Sequence, residues 1–494
     1  MNQRSGRLPD DQSSYQRARR PASAFDSREA YLEHELAIMA PRRWRLNLPG
    51  RDYSFEVEDL TPAIAGTIGK VVMTTAIVTV FATGYGLSAE FIVENVRFEM
   101  LIAAVFFVIL LSGMFVPTAN LAGCHGPLIP LIPLIVLSGG HPLALGIMVG
   151  AFGLLLGLTK GGSTLVNLTG DGVRGGLLIY LGMVGLIGQM DALRGWSENA
   201  GNGAIFLAVM LITVLTYAGL IRINKRWLAI PLCSLIALVV ALAMGAPFTF
   251  VTEPGIPNLN PFFWWGADTG WMLGWPDLAH FIAVLPFAVL AVSMWPPDFL
   301  GHRVFQEQNY PAGSERVLMN VDDTMTVSSL RQIVGSVFGG GNLASSWGTY
   351  MIPAAIAKRP IPAGAVLTGI LCMLFVIVGY PMDIAAWAPV LRVALIVGVF
   401  VPLLEVGAQL IKTTTQAQSG GLCIIGSALV NPVFGWSLAL LLTNTGLVGD
   451  NERSAHLPKA KRLLIPIAAF IICTAAMGAV GLLPGIPALL GTGG

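Results

Sequence analysis

Asp298 follows Trp295-Pro-Pro at the end of an apolar run, Ala279–Met294. An ionisable side chain at bilayer depth is costly enough to be a functional candidate by default. Pro296 and Pro297 cannot continue regular helical hydrogen bonding, so carbonyls near them are left free. A carboxylate beside free carbonyls can take a proton or help hold Na⁺, which makes Asp298 the candidate ion-coupling group. The alternative is a solvated loop acid in the headgroup region.

Two other segments carry polar chemistry where an apolar helix should run. The first is Asn120-Leu-Ala-Gly-Cys-His-Gly-Pro127, followed by Pro130 and Pro133; the second is Gly339-Gly-Gly-Asn-Leu-Ala-Ser-Ser-Trp-Gly348, followed by Pro353. Irregular backbone is tolerated inside a membrane only where protein buries it or a cavity lies beside it. Corresponding breaks in the two halves of a transporter point to its binding site. A helix restarting at the midplane presents free N–H groups and a positive dipole end. Two such ends facing each other suit an anion or a carbonyl-rich ring. The candidate substrate-binding residues are therefore Cys124, His125 and Gly126 from the first break, and Ala344, Ser345, Ser346 and Thr349 from the second. The alternative is a packing kink or a small-residue helix interface.

These residues need a membrane scaffold to position them, and composition supplies one. The chain has 494 residues, 54% hydrophobic and only 12% charged, against about 25% charged in soluble domains. Apolar runs such as Phe98–Pro117, Ile205–Ile221, Ala279–Met294 and Leu464–Leu483 approach the roughly 20 residues that span a bilayer as a helix. Spans are predicted at 63–86, 98–117, 122–140, 142–159, 164–190, 204–222, 227–245, 279–297, 325–340, 344–357, 362–380, 391–410, 430–448 and 464–484. Basic residues in short loops set orientation. Arg222, Lys225, Arg226, Arg303, Lys358, Arg359 and Lys412 all follow even-numbered spans, which agrees with a cytoplasmic N-terminus. Lys459, Lys461 and Arg462 dissent, unless 419–448 is a pair of short helices. The five cysteines are scattered, without CxxC or Cys/His spacing, so neither structural zinc nor a disulfide framework is expected.

Other charged residues read less sharply. Asp171 and Arg174 are spaced to pair on one helix face. Glu405 has a possible polar role between helices. Asp322 and Asp323 are expected to cap a helix, and Asp383 and Arg392 to lie in loops. Residues 1–45 are polar and Arg-rich, with no signal-peptide pattern. Residues 1–25 read as disordered and 27–39 as a short helix, together a plain cytoplasmic extension.

The stretch from Asp298 to about Gly407 resembles the nucleobase–cation symporters, the uracil/xanthine permease family. Their eighth-span acid followed by Gly-His or Gly-Asp is matched by Asp298-Phe-Leu-Gly-His302. Their Phe-Gly end and Thr-Thr-Tyr-Gly-Glu motif are matched by Phe338-Gly-Gly-Gly-Asn-Leu and Ala344-Ser-Ser-Trp-Gly-Thr349. Residues 164–190, with Thr169-Gly170, resemble that family's fifth span. The third span is similar, more distantly, to sulfate permeases as well. The resemblance implies an all-α integral membrane fold of about fourteen transmembrane segments in a 7+7 inverted repeat. Residues 1–60 would precede a transporter domain, 61–494, with a core at 61–160 and 276–385 and a gate at 161–250 and 386–494. It also implies a site between the third and tenth half-helices, an elevator-like motion and a homodimer. Thr349 stands where the family has its second acid. Losing that carboxylate removes a charge-assisted hydrogen bond, typically about 1.5–3 kcal/mol, and makes the site less repulsive to anions.

The leading expectation is thus a secondary transporter of a small anionic or polar solute in the cell inner membrane, coupled to H⁺ or Na⁺ through Asp298. The alternatives are a sulfate-permease-like anion exchanger or uniporter, or a nucleobase permease. No cofactor beyond the coupling ion is expected, and the partners are the solute, the lipid bilayer and a second copy of the chain. A net charge of +1 offers nothing to nucleic acid. No HExxH or GxSxG motif supports an enzyme.

Overall fold

The computed structural model describes residues 13–119, 126–249, 253–266, 271, 273–340, 356–359, 362–379, 387–448 and 451–490, without the side chains of 102, 103, 105–109, 126, 127, 298 and 362–365. The described chain is helical, with one isolated β-bridge between Pro49 and Tyr53.

An N-terminal cap comes first. Ser13 closes a capping box with Gln16 over α1 (Ser14–Ala18), and Ser27 caps α2 (Arg28–Ile38). The expected helix at 27–39 is α2. The reading of 1–25 as disordered is corrected for residues 13–25, and that of a plain extension for the whole cap. Tyr15 is buried and donates a 2.5 Å hydrogen bond to Glu35. Buried Arg359 donates to Ser54 O at 2.9 Å and to Asp59 at 2.6 Å, with Glu35 3.7 Å away. Arg43 donates two 2.7 Å bonds to Asp323, and Asn47 Nδ2 donates to Met114 O at 2.9 Å. The polarity that resembled disorder is that of an ion-paired interface.

The apolar helices follow. α3 (Leu60–Gly84) precedes α4 (Ala89–Phe98), which runs on into a π-wound stretch (Glu99–Phe115). A 3₁₀ turn (Gly126–Leu131) enters α5 (Ile132–Leu137), and then come α6 (Pro142–Thr159), α7 (Gly162–Asn199), α8 (Ala204–Arg222) and α9 (Ala229–Ala243). Beyond the short α10 (Pro261–Trp265) lie α11 (Leu278–Asn309), α12 (Val321–Phe338) and α13 (Pro362–Val378). α14 (Ala388–Leu395) passes through a π turn (Ile396–Phe400) into α15 (Val401–Leu410); α16 (Thr414–Leu429), α17 (Pro432–Asn444) and α18 (Lys459–Ala479) close the fold.

Among the described residues, 8 helices are long and apolar enough to cross a membrane, and three shorter apolar ones accompany them. The count of fourteen is not reached by these, and the tenth predicted span lies largely outside the described residues. The predicted span 430–448 is one arm of a pair. α17 has 13 residues, a rise of about 20 Å, short of the roughly 30 Å hydrocarbon core. Its partner α16 opens with Thr414, Thr415, Gln416 and Gln418, a polar start that hid it.

Small residues let the helices close. α6 packs on α12 through Gly146, Gly150 and Gly157. A Cβ at Gly150 would lie 2.9 Å from the Ser329 carbonyl, and one at Gly157 3.0 Å from the Thr326 amide. This is the close approach that small-residue rows provide in membranes, where apolar burial between helices drives little.

Candidate functional site

The two expected breaks are described only at their edges. Cys124 and His125 lie outside the described residues; Gly126 opens the 3₁₀ turn that feeds α5. Ala344, Ser345, Ser346 and Thr349 lie outside them as well. Asp298 sits within α11, which keeps Pro286, Pro296 and Pro297 inside one helix, and its side chain is outside the description. Beside it Trp295 is buried against α6, where a Cβ at Gly153 would come within 2.9 Å of the indole ring.

The edge of the second break is firmly held. Asn95 of α4 donates through Nδ2 to Gly339 O at 2.9 Å and Gly340 O at 3.3 Å. Gly340 has a φ of +75°, and a Cβ there would meet Trp264 at 2.4 Å. Trp265 Nε1 donates to Val337 O at 3.1 Å. The last carbonyls of α12 are thus fixed by side chains before residue 341.

One turn along from Asn95 is a charge cluster that the sequence reading missed. Glu99, at the head of the π-wound stretch, accepts from Lys70 of α3 at 2.5 Å and from Arg331 of α12 at 2.6 Å, both on Oε1. The side chains of Lys70 and Glu99 are 1% exposed and that of Arg331 5%. Three ionisable groups from three separate helices have been taken out of water to meet here, at a desolvation cost only good mutual geometry offsets. A signal was present: Lys70 is the only ionisable residue of α3, and Arg331 the only one in the second half of α12.

The other charged residues that the sequence singled out are paired where they are described. Asp171 pairs with Arg174 at 3.3 Å, as its spacing predicted, and also with Arg453 at 2.7 Å. Glu405 accepts from Tyr217 at 3.0 Å and is bonded by Arg226. Asn320, not Asp322 or Asp323, caps α12. Arg392 is not a loop residue; it lies in α14 and donates to Gln189 at 2.9 Å. Asp383 is outside the described residues. A cavity of about 300 Å³ opens where α7 breaks at Gly170, lined among others by Thr169, Asp171, Thr413, Gln416 and Arg453.

Comparison with solved structures places the fold. Murine solute carrier 26 family member A9, an anion transporter solved in the inward-facing state, matches with a TM-score of 0.51 at 12% identity, covering 80% of this chain and 68% of that one. The transmembrane domain of a cyanobacterium bicarbonate transporter, BicA, matches with a TM-score of 0.44 at 15% identity, covering 84% and 98%. The first of these likenesses shows that the described fold is similar to that of solute carrier 26 family member A9. No curated protein matches the sequence. Residues 7–490 match the family described as "Protein of unknown function (DUF3360)", and the chain belongs to that family.

Proposed function

We propose that this chain carries small anions across its membrane as an exchanger or uniporter of the sulfate-permease kind. The observation that supports the reading is the fixed end of α12 at the edge of the second break. α12 ends at Gly339–Gly340 with its carbonyls fixed by Asn95 and Trp265, so the chain enters 341–355 from a rigid support. That segment holds hydroxyls at Ser345, Ser346 and Thr349 and no acid. The fold likeness to an anion transporter supports the same reading. Together with Cys124, His125 and Gly126 of the first break, these uncharged donors would hold one solute. Movement of a core past a gate then exposes it to either side.

The test is flux through the purified protein in liposomes. Chloride, nitrate and sulfate uptake should be accelerated by an anion inside and should proceed without a proton or Na⁺ gradient. Preference for uracil, xanthine or an organic cation would defeat the reading. Asp298→Asn tests coupling. It is expected to preserve exchange and to abolish any accumulation driven by a proton or Na⁺ gradient. An Asn variant that still concentrates anion as wild type does removes Asp298 from the coupling role.

A further inference from the structure

His141 stands at the head of α6, buried, with both ring nitrogens bonded to backbone. Its Nδ1 accepts the Leu143 amide at 3.1 Å, which caps the helix, and its Nε2 lies 3.0 Å from Gly274 O. An amide N–H only donates and a carbonyl only accepts, so this ring is neutral with its proton on Nε2. Trp265 and His280 pack on it, each with 5.2 Å between ring centroids. An imidazolium cannot keep this place. A proton on Nδ1 removes the lone pair that the Leu143 amide uses, and it sets a cation at the positive end of an 18-residue helix. Among the described residues, the titratable groups against it are His280 and Asp277 at the head of α11 and Tyr85 at the end of α3. Asp277 Oδ1 lies 2.7 Å from His280 Nδ1, so that carboxylate serves His280. The Tyr85 hydroxyl donates to Gly140 O at 2.8 Å. What His141 ties together reaches the second break. Trp265 donates to Ser336 O at 3.2 Å and Val337 O at 3.1 Å, the last turn of α12, and Trp264 beside it covers Gly340.

We propose that His141 is an acid-released latch. Neutral, it holds α10 and residues 273–277 against the head of α6; protonated, it lets them go, and the end of α12 loses its support, so that acid slows transport. Burial first, and the neighbouring His280 second, lower His141 from 6.5 to about 4 in the closed form. A histidine lowered in this way stabilises the closed form fully above about 6.5, its value when released, and that contribution is lost as the pH falls from there toward about 4. Between pH 7 and 5 the released form gains roughly thirtyfold.

The experiment follows the Leu143 amide by hydrogen exchange in the full-length protein, with chloride–nitrate exchange in liposomes as a second arm that rests on the anion-transport reading above. In wild type, protection of Leu143, corrected for the intrinsic rate, should fall roughly thirtyfold between pH 7 and 5, and anion exchange should slow with it. His141→Asn keeps an oxygen to cap the helix and has nothing to titrate, so both pH dependences should disappear. His280→Gln should retain them. Protection that is flat with pH in wild type, or that falls equally in His141→Asn, overturns the latch, as does a pH dependence that His280→Gln removes. Should His141→Asn not fold, the wild-type and His280→Gln profiles still decide. A Leu143 amide that opens in acid while anion exchange keeps its rate overturns the link to the second break. Wild type that moves no anion at any pH sinks the anion reading, and the protection arm then decides the latch alone.

Discussion

At the residue scale, Gly170 shows how much one position can carry. It holds φ +66° and ψ 165° inside α7, a region open essentially to glycine alone, where other residues cost about 1–3 kcal/mol. The break frees the carbonyls of Asn167 and Leu168, and Asn451 Nδ2 donates 2.8 Å bonds to both. A Cβ at residue 170 would lie 2.8 Å from Asn451 Oδ1, so Gly170→Ala is both strained and obstructed. It should lower the melting temperature of the purified protein more than Gly188→Ala, whose Cβ meets nothing within 4 Å. Equal shifts would mean the break is not held as described. The Thr169-Gly170 pair was legible as a motif, but its partner was not, since Asn451 lies 281 residues further on. Lys70, Glu99 and Arg331 were overlooked for a related reason. Each is a single charge diluted by its own apolar run, and only the packing of three helices makes them one object.

At the element scale, the N-terminal cap is the largest departure from the sequence reading. Composition reports polarity but not pairing, so Arg28, Arg43 and Glu35 read as solvated. The cap depends on Arg359, whose buried guanidinium faces Asp59, Glu35 and Ser54. Arg359→Ala leaves buried carboxylates uncompensated, a loss of about 3–5 kcal/mol. Limited proteolysis should then cut within residues 13–59 at protease levels that wild type resists; an unchanged digestion pattern would contradict the docked cap. Acid should loosen the same element. Burial favours the protonated form of Glu56, yet hydrogen bonds from Arg28 and Tyr31 outweigh it and hold the carboxylate below its ordinary value. A carboxylate lowered in the folded state contributes fully above its unfolded pKa of about 4.3. That contribution fades as the pH falls through the lower folded value. Protease sensitivity of the cap should therefore rise below about pH 4, and less steeply in Glu56→Gln; a profile identical in the two proteins would exclude Glu56 from the effect.

At the scale of the whole molecule, the apolar helix pattern was readable because hydropathy reports burial in lipid directly. The expected division into a moving core and a fixed gate came from the family resemblance and not from hydropathy, because it depends on which helices slide. One contact bears on it. Met73 of α3, in the expected core, packs against the π turn at Gly398, in the expected gate, where a Cβ on Gly398 would sit 3.4 Å from the Met73 sulfur. Ile230 crowds the same glycine at 2.9 Å, so the surface passing α3 is kept flat by the absence of a side chain. If transport carries α3 past this turn, a covalent link between the two must stop it while leaving each body folded. Cysteines placed by Met73→Cys and Gly398→Cys, joined by a short thiol cross-linker, should abolish anion exchange in liposomes. Cleaving the linker should restore it. The described native thiols, Cys233, Cys372, Cys423 and Cys473, are buried and free, so the parent protein carrying the same reagent is the control. Exchange that continues at the parental rate in fully linked protein would show that α3 and the π turn move together, and the boundary between core and gate would then have to be drawn elsewhere.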